Sequence, residues 1–287
     1  MRNSAALLAL LAACEGGLPF ETERSITLAL GPDAEKFVYT IGKPFKVEVH
    51  VECGGVEPMV FQWPGSLEGG LEISEDPRAK EPTILKASGD VEYGEPREIQ
   101  PPFREKAAEF DITEALKELG DKDRIVHLRW RFGKKASEWY RLVVVHDYKL
   151  TVNTNQGSFE LELYPVHAPL AVMSFVKRVK EKFYDGAPVT VDPKARWMVV
   201  GDASKKDVPP AAQEPDAPDG AGSAGLWYDL RPDSASHLFF VRFAEPKDFM
   251  RRYTILGKVA GGQDTLQKIE AAGAGVVVES ITVEIRK

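Results

Sequence analysis

The strongest constraint on the fold is an alternating stretch at residues 148–165, YKLTVNTNQGSFELELYP. Apolar and polar side chains alternate in two runs, and Asn155, Gln156 and Gly157 separate the runs. Alternation with a period of two predicts strands with one buried face, and the short polar break predicts that they pair as a hairpin. After the proline, apolar residues recur at three- and four-residue spacing over 169–183, which predicts an amphipathic helix with one inward-facing side.

Six further landmarks follow this opening in the C-terminal half of the chain. They are 183–186 (FYDG), Gly201-Asp202, 239–241 (FFV), 254–259 (TILGKV), a predicted helix at 264–271 and a closing strand at 281–285. In this order and at this spacing, they resemble the cyclophilin family of peptidyl-prolyl isomerases. The resemblance covers residues 147–287 and implies a closed antiparallel β-barrel capped by two helices, a closure that removes exposed sheet edges.

The resemblance also implies a chemistry that this sequence does not support. An isomerase of X–Pro bonds has to lower a rotational barrier of about 18–20 kcal/mol without any covalent step. It holds the proline ring in an apolar pocket and aims a donor at the prolyl nitrogen. In cyclophilins this donor is the arginine of a Phe-His-Arg-Val segment, but an ungapped alignment places Val189, Thr190 and Val191 at the Phe-His-Arg positions. Because a valine side chain donates no hydrogen bond, the sequence predicts loss of isomerase activity.

Other positions of the implied site differ in the same direction. Val199 and Leu238 stand where the family has glutamines, and Tyr253 stands where it has a histidine. Arg196 replaces a pocket phenylalanine and is the only catalytic candidate, since its guanidinium would substitute for the missing donor if a bulge brought it to the correct face. Among the usual pocket residues, only Phe240 is clearly retained. A guanidinium that reaches the cleft next to Phe240 would therefore overturn the prediction of inactivity.

The residues near this pocket form a candidate peptide-binding surface of Phe239, Phe240, Trp197, Leu238 and Tyr253. Two interpretations of Trp197 and Tyr253 stay open: they plug the former proline pocket as core filling, or they line a new apolar groove. Residues 203–224 contain four prolines and almost no large apolar side chains. This composition predicts a mobile surface loop.

Residues 18–146 are predicted to form a separate β domain. Apolar residues alternate strictly over 45–51 and 126–132, which is typical of antiparallel strands over a shared core. About seven short strands separated by Gly, Pro and Asp favour an immunoglobulin-like β-sandwich, so the whole chain is predicted to be mainly β. No catalytic or metal-ligating constellation is recognisable in this region, and no cofactor is predicted for the chain.

The N-terminus is predicted to direct the chain to a membrane surface. Residues 1–17 contain a short Ala/Leu run that ends in Leu11-Ala12-Ala13-Cys14, which resembles the lipobox of bacterial lipoproteins. That resemblance implies acylation of Cys14, with acyl chains holding the protein in the envelope. Glu15 follows the cysteine and favours the outer membrane, with the protein facing the periplasm. The alternative is a simple cleaved signal peptide in which Cys14 is incidental.

Three functions remain in competition. The first is an envelope lipoprotein that has lost isomerase activity and binds extended or Pro-containing protein segments, or assists assembly. The second is a working peptidyl-prolyl isomerase, as family resemblance alone implies. The third is a structural envelope lipoprotein. A net charge of −7 without a long basic run argues against nucleic acid as a partner.

Overall fold

The computed structural model describes residues 24–30, 37–53, 59–61, 69–78, 83–85, 97–99, 104–132, 135–204, 212–215, 217–228, 237–245 and 253–286. Cys14 and the predicted signal segment at residues 1–17 lie outside these residues. The chain divides into two compact units, of which the first lies within Met1–Phe37, Lys43–Asp121 and Ile125–Leu142. The second comprises Val38–Gly42, Lys122–Arg124 and Val143–Lys287. No helix among the described residues is long and apolar enough to cross a membrane.

The described residues of the N-terminal half lie mostly in short strands. In chain order they are β1 (Arg24–Leu30), β2 (Val38–Thr40), β3 (Lys46–Cys53), β4 (Met59–Phe61), β5 (Gly69–Ser74), β6 (Thr83–Leu85), β7 (Arg97–Ile99), β8 (Arg104–Asp111), β9 (Arg124–Phe132), β10 (Lys135–Ala136) and β11 (Tyr140–Val145). A helix of five residues, α1 (Thr113–Lys117), lies between β8 and β9. The prediction of strands at 45–51 and 126–132 is confirmed by β3 and β9.

In the first unit, β3 pairs antiparallel with β1 on one side and with β8 on the other. Strand β5 likewise lies between β6 and β9, while β10 pairs with β9 and β4 pairs with β7. The inward side chains at alternate positions are buried, as the period-two pattern requires. They include Val47, Leu71, Ile73, Val126 and Leu128. The mainly β prediction is confirmed, and the immunoglobulin-like assignment stays a prediction.

The second unit contains eight strands that close into a barrel. They are β12 (Tyr148–Thr154), β13 (Gly157–Leu163), β14 (Pro188–Asp192), β15 (Trp197–Val200), β16 (Ser223–Leu226), β17 (Phe239–Arg242), β18 (Ile255–Gly261) and β19 (Val276–Ile285), with helices α2 (Pro169–Lys180) and α3 (Gln263–Ala272). The strand order around the barrel is β12-β13-β18-β16-β17-β15-β14-β19. The predicted hairpin is β12–β13, in which Lys149 pairs with Glu162 and Thr154 with Gly157. A closed barrel with two helices of ten residues or more is the architecture that the sequence predicts.

The barrel interior is filled by side chains from every second strand position and from the apolar side of α2. Phe175 of α2 packs edge-on against Phe239 of β17, with 5.1 Å between ring centroids, and also contacts Tyr184 at 5.5 Å. Strand β18 approaches β13 so closely at Gly257 that a Cβ atom there would lie 2.1 Å from the carbonyl oxygen of Glu162. The barrel wall can therefore close at this point only with a glycine.

Candidate functional site

The strands that carry the predicted site have two apolar faces instead of one. Side chains at alternate positions of β15 and β17, Met198, Val200, Phe239 and Val241, belong to the barrel interior. The intervening side chains lie on the opposite face and join a second buried cluster, which we call the outer cluster. It consists of Phe240, Tyr253 and Ile255 with Tyr164, Trp197, Val199, Ala217, Trp227 and Tyr228 packed against them.

Phe240 lies at the centre of the outer cluster and is completely buried. Its ring centroid is 4.9 Å from that of Tyr253 and 5.8 Å from that of Trp197, and both rings are inclined to it. On β16, a Cβ atom at Gly225 would come within 2.6 Å of the Phe240 ring, so the absent side chain makes room for the ring. The space beside Phe240, which corresponds to the proline pocket that the resemblance implies, is therefore filled by aromatic rings.

Trp197 and Trp227 complete the cluster on its outer side. Their ring centroids are 4.8 Å apart in an edge-to-face arrangement, and both side chains are half-buried. Tyr228 contacts Tyr253 at 4.7 Å. Burial, together with the negative charge of Glu162, raises the pKa of Tyr164, which keeps that phenol neutral. The outer cluster thus presents apolar, partly exposed rings around a fully buried centre.

A buried guanidinium lies within this cluster. Arg242 is 4% exposed, and its Cζ atom is 5.1 Å from the ring centroids of Trp197 and Phe240 and 5.6 Å from that of Tyr253. These distances are in the range of cation–π contacts, which stabilise by about 2 kcal/mol when desolvated. Sequence reasoning missed Arg242, although alternation along β17 places it on the same face as Phe240.

Asp219 neutralises this guanidinium. Nε and a terminal nitrogen of Arg242 donate to its two carboxylate oxygens at 2.6 and 2.7 Å, the two-pronged geometry of a strong ion pair. Separating the two partners would leave an uncompensated charge inside the protein, so the ion pair holds both side chains in place. Two donors of Arg242 are consequently engaged inside the protein.

The prediction of a mobile loop at 203–224 falls partly on residues 205–211 and 216, which lie outside the described residues, and the described part makes specific contacts. Residues 212–215 and 217–224 are described, and Glu214 is fixed at both ends. Its backbone N donates to the Thr254 hydroxyl at 2.8 Å, and its carboxylate accepts from the backbone N of Ala171 at 2.9 Å. Ala217 packs in the outer cluster. Polar contacts order this segment although it has little apolar surface to bury.

Arg196 does not occupy the position proposed for a replacement donor. It ends the turn between β14 and β15 with a positive φ of 54°, and about half of its side chain is exposed. Its guanidinium donates to Glu270 of α3 at 2.9 and 3.3 Å, a pairing that raises the pKa of Arg196 further. The guanidinium that lies over the Phe240 ring belongs to Arg242.

The strand register shows which side chains face the outer cluster. Val191 pairs with Met198 and Thr190 with Val199. Val191 packs on the barrel interior, as Met198 does, whereas Thr190 is exposed beside Val199. Val191, the residue aligned with the family's arginine, therefore points into the barrel and away from the outer cluster. Thr190 is the neighbouring residue that points outward.

The structure brings together three of the five predicted peptide-binding residues. Phe240, Trp197 and Tyr253 are in mutual contact, and Tyr253 is only 4% exposed. The prediction for Phe239 is wrong, because its side chain is fully buried inside the barrel and cannot line an outer groove. Leu238 is half-buried against Gly201. The hydroxyl of Tyr253 is buried and has no hydrogen-bond partner among the described residues.

Aromatic residues just after β16 were missed by sequence reasoning. Trp227 and Tyr228 lie at the end of a strand whose four residues are all buried, so no alternating pattern marks them. The described residues contain no group of three or more His, Cys, Asp or Glu side chains that could hold a metal ion.

Comparison with known proteins assigns the second unit. The family model for cyclophilin type peptidyl-prolyl cis-trans isomerase/CLD matches residues 149–286. A peptidyl-prolyl cis-trans isomerase of Acinetobacter baylyi is 31% identical over 133 residues, which cover 41% of this chain and 69% of that protein. The chain belongs to the cyclophilin-type peptidyl-prolyl cis-trans isomerase family.

Two further proteins are similar to part of this chain. Peptidyl-prolyl cis-trans isomerase 10 of Caenorhabditis elegans is 27% identical over 143 residues, covering 42% of this chain and 81% of that protein. A cyclophilin-type isomerase of Cryptosporidium parvum, known from a crystal structure, superposes with a TM-score of 0.44 and 18% identity, covering 50% of this chain and 100% of that chain.

Proposed function

We propose that this protein is an envelope lipoprotein whose cyclophilin-type domain binds extended or Pro-containing protein segments without isomerising them, or assists their assembly. The observation that carries the proposal is the outer cluster. Phe240 is completely buried among aromatic rings, and the guanidinium of Arg242 beside it is paired with Asp219. Aromatic rings are available for binding in this arrangement. Catalysis, however, requires an open apolar pocket and a free donor, and here the pocket is filled and the guanidinium is paired.

Catalysis of proline isomerisation depends on differential stabilisation of the twisted bond. The proline ring has to enter an apolar pocket, and a pre-placed donor has to reach the prolyl nitrogen. In this domain Trp197 and Tyr253 fill the space around Phe240, while two Arg242 donors are committed to Asp219. This packing favours filling of the former pocket for buried Tyr253, whereas Trp197 packs against Phe240 and also stays partly exposed.

Peptide binding requires less of the site. The half-buried rings of Trp197, Trp227 and Tyr228 offer flat apolar contact area, and tryptophan and tyrosine are typical of protein interfaces. Exposed Thr190 adds a polar group beside Val199 of the same cluster. A purely structural lipoprotein would show no dependence of peptide binding on Trp197, which separates the third function from the first.

One observation favours a second function, that of a working isomerase. The guanidinium of Arg242 lies beside Phe240, but it is 4% exposed and paired with Asp219, so it reaches a cleft only if that pair opens. In that function Asp219 would have to release Arg242 and Trp197 would have to move before a proline could enter. Arg242, rather than Arg196, would then be the donor.

A proline isomerisation assay on a tetrapeptide panel tests the proposal. We expect the wild-type protein to be indistinguishable from the uncatalysed reaction, because pocket and donor are both occupied. Arg242→Ala and Arg196→Ala are the informative pair, since one guanidinium lies over Phe240 and the other is exposed and paired with Glu270.

Activity above background would contradict the proposal, and the pair would then identify the donor. Loss of one pre-placed donor costs about 10²–10³ in rate. A fall of this size in Arg242→Ala alone would assign catalysis to Arg242. The same fall in Arg196→Ala alone would assign it to the replacement that the sequence suggested.

A further inference from the structure

The ion pair of Arg242 and Asp219 is unequal in its exposure. The Arg242 side chain is 5% exposed and that of Asp219 is 21% exposed. The guanidinium is thus fixed inside the outer cluster, and the carboxylate lies on its more accessible side. A guanidinium held in this way is a binding site for a carboxylate, and Asp219 is its present occupant.

The occupant belongs to a short segment outside the barrel strands. We call residues 217–220, Ala-Pro-Asp-Gly, the strap. Ala217 packs in the outer cluster, Pro218 is exposed, and the backbone N of Gly220 donates to the Ser223 hydroxyl at 2.9 Å. Strand ladders do not hold the strap, so local opening there costs less than opening the barrel.

An unused donor lies in the same cluster. The Tyr253 hydroxyl is buried without a hydrogen-bond partner among the described residues, and the ring of Tyr253 is 5.6 Å from Cζ of Arg242. A buried hydroxyl without a partner costs free energy. An incoming peptide that offers a backbone carbonyl would satisfy it while its carboxylate pairs with Arg242.

The geometry points to a site that binds extended peptides carrying an Asp or Glu. The carboxylate of such a peptide displaces Asp219 from Arg242. The strap is therefore an internal ligand that regulates the site. This inference rests on the proposed function of peptide binding. The aromatic rings contact a small residue two positions before the acidic side chain, as they contact Ala217 in this structure. The strap therefore lowers the affinity of the site until such a ligand competes with it.

A labelled peptide with the sequence of residues 214–222, EPDAPDGAG, tests this inference by fluorescence anisotropy. The matched control is the same peptide with Asn in place of its second Asp. We expect Asp219→Ala to bind the acidic peptide about tenfold or more tightly than the control peptide, because charged hydrogen bonds of this kind are worth about that factor. The wild-type protein is expected to bind the acidic peptide at least about tenfold more weakly than Asp219→Ala does, because its own carboxylate competes.

Two further measurements guard against a folding defect. Asp219→Ala leaves a buried unpaired guanidinium and is expected to have a lower Tm. Sodium acetate should raise that Tm more than an equal concentration of sodium chloride does, whereas the wild-type Tm should show a smaller difference between the salts. The double variant Asp219→Ala/Arg242→Gln removes the unpaired charge and should lose the preference for the acidic peptide.

Each outcome has a separate meaning. Equal binding of both peptides by Asp219→Ala, or no effect of acetate on its Tm, overturns the carboxylate site. If the wild-type protein binds peptides on an array through Trp197 while Asp219→Ala changes nothing, the proposed function survives and only the strap inference fails. Isomerase activity in the wild-type protein would instead contradict the proposed function and leave the carboxylate competition to be judged by the anisotropy data.

Discussion

At the scale of single residues, Glu72 of β5 shows how a buried charge is retained in the first unit. Its side chain is 6% exposed and accepts from Nε of Arg129 at 2.5 Å and from Nε of Arg131 on the neighbouring strand. Burial alone would raise the pKa of this carboxyl, but hydrogen bonds and charges from the two arginines outweigh it and lower the pKa. The carboxylate form is therefore tied to the folded state.

The sign of the pH dependence follows from this lowered pKa. A carboxyl whose pKa is lower in the folded state stabilises that state above its unfolded pKa, and this stabilisation is lost as the pH falls through its folded pKa. Glu72→Gln should thus lower the free energy of unfolding by about 1–3 kcal/mol near neutral pH, and by less near pH 3, where the carboxyl of the unfolded chain is already mostly protonated. Urea unfolding at both pH values measures the difference.

Glu114→Gln is the matched control. Glu114 also pairs with a cation, Lys117, at 2.6 Å, but its side chain is 75% exposed, so little stability should be lost. A Glu72→Gln effect of equal size at both pH values would contradict the assignment of the lowered pKa.

Some residues of the site could be predicted from the sequence, and others could not. The face of Arg242 follows from counting along β17 from Phe240, so this residue was accessible to the alternation argument. Its partner was not, because Asp219 is 23 positions away in a segment without periodicity. Val191 was correctly recognised as unable to donate, but its inward direction depends on the register with Met198, which a single sequence does not specify.

At the scale of elements, the strands and the two longer helices of the barrel were predictable because each has a clear period. The hairpin β12–β13 and helix α2 carry their patterns over seven or more residues. The contacts of Glu214 and of Asp219 in the strap were not predictable, since both side chains meet distant partners and no local hydrophobic pattern marks them.

The contact between β13 and β18 gives a prediction at this scale. Gly257→Ala would place a Cβ atom 2.1 Å from the Glu162 carbonyl oxygen, and because the atoms it meets are backbone, no side-chain rotation relieves the clash. We expect a loss of at least about 1–3 kcal/mol in the free energy of unfolding, visible as a lower Tm.

Gly261→Ala on the same strand is the control for this variant. Its Cβ atom would meet only the end of the Glu160 side chain, at 2.9 Å, and that side chain can rotate away. A Tm close to wild type is expected. Similar Tm values for the two alanine variants would show that the strands separate at Gly257 without cost.

At the scale of the whole molecule, the remaining proposal concerns attachment to the envelope. An acylated Cys14 would tether both units to a lipid surface, and each buried methylene of an acyl chain contributes about 0.8 kcal/mol. The proposal rests on the Ala/Leu run and on Leu11-Ala12-Ala13-Cys14. Single-sequence reasoning cannot choose between this motif and a simple signal peptide, because both contain a short apolar run before a small-residue cleavage site.

Metabolic labelling with a fatty acid in a bacterial host separates the two. We expect the full-length protein to incorporate the label and to fractionate with membranes, and Cys14→Ser to do neither. Cys53→Ser is the control, since the chain has two cysteines and only Cys14 follows the Ala/Leu run. Label that persists in Cys14→Ser would refute the anchor.

The pairing of β12 with β19 has a consequence for how this domain can be rearranged. Tyr148 at the start of the barrel lies opposite Ile285 at its end, so the two ends of the domain meet on adjacent strands. A short linker would connect them, and new ends could be opened in the turn between β14 and β15 without breaking a ladder. Circular permutation would thus preserve the barrel. Because its two ends are adjacent, the domain could also be inserted into or removed from another chain as one unit during evolution.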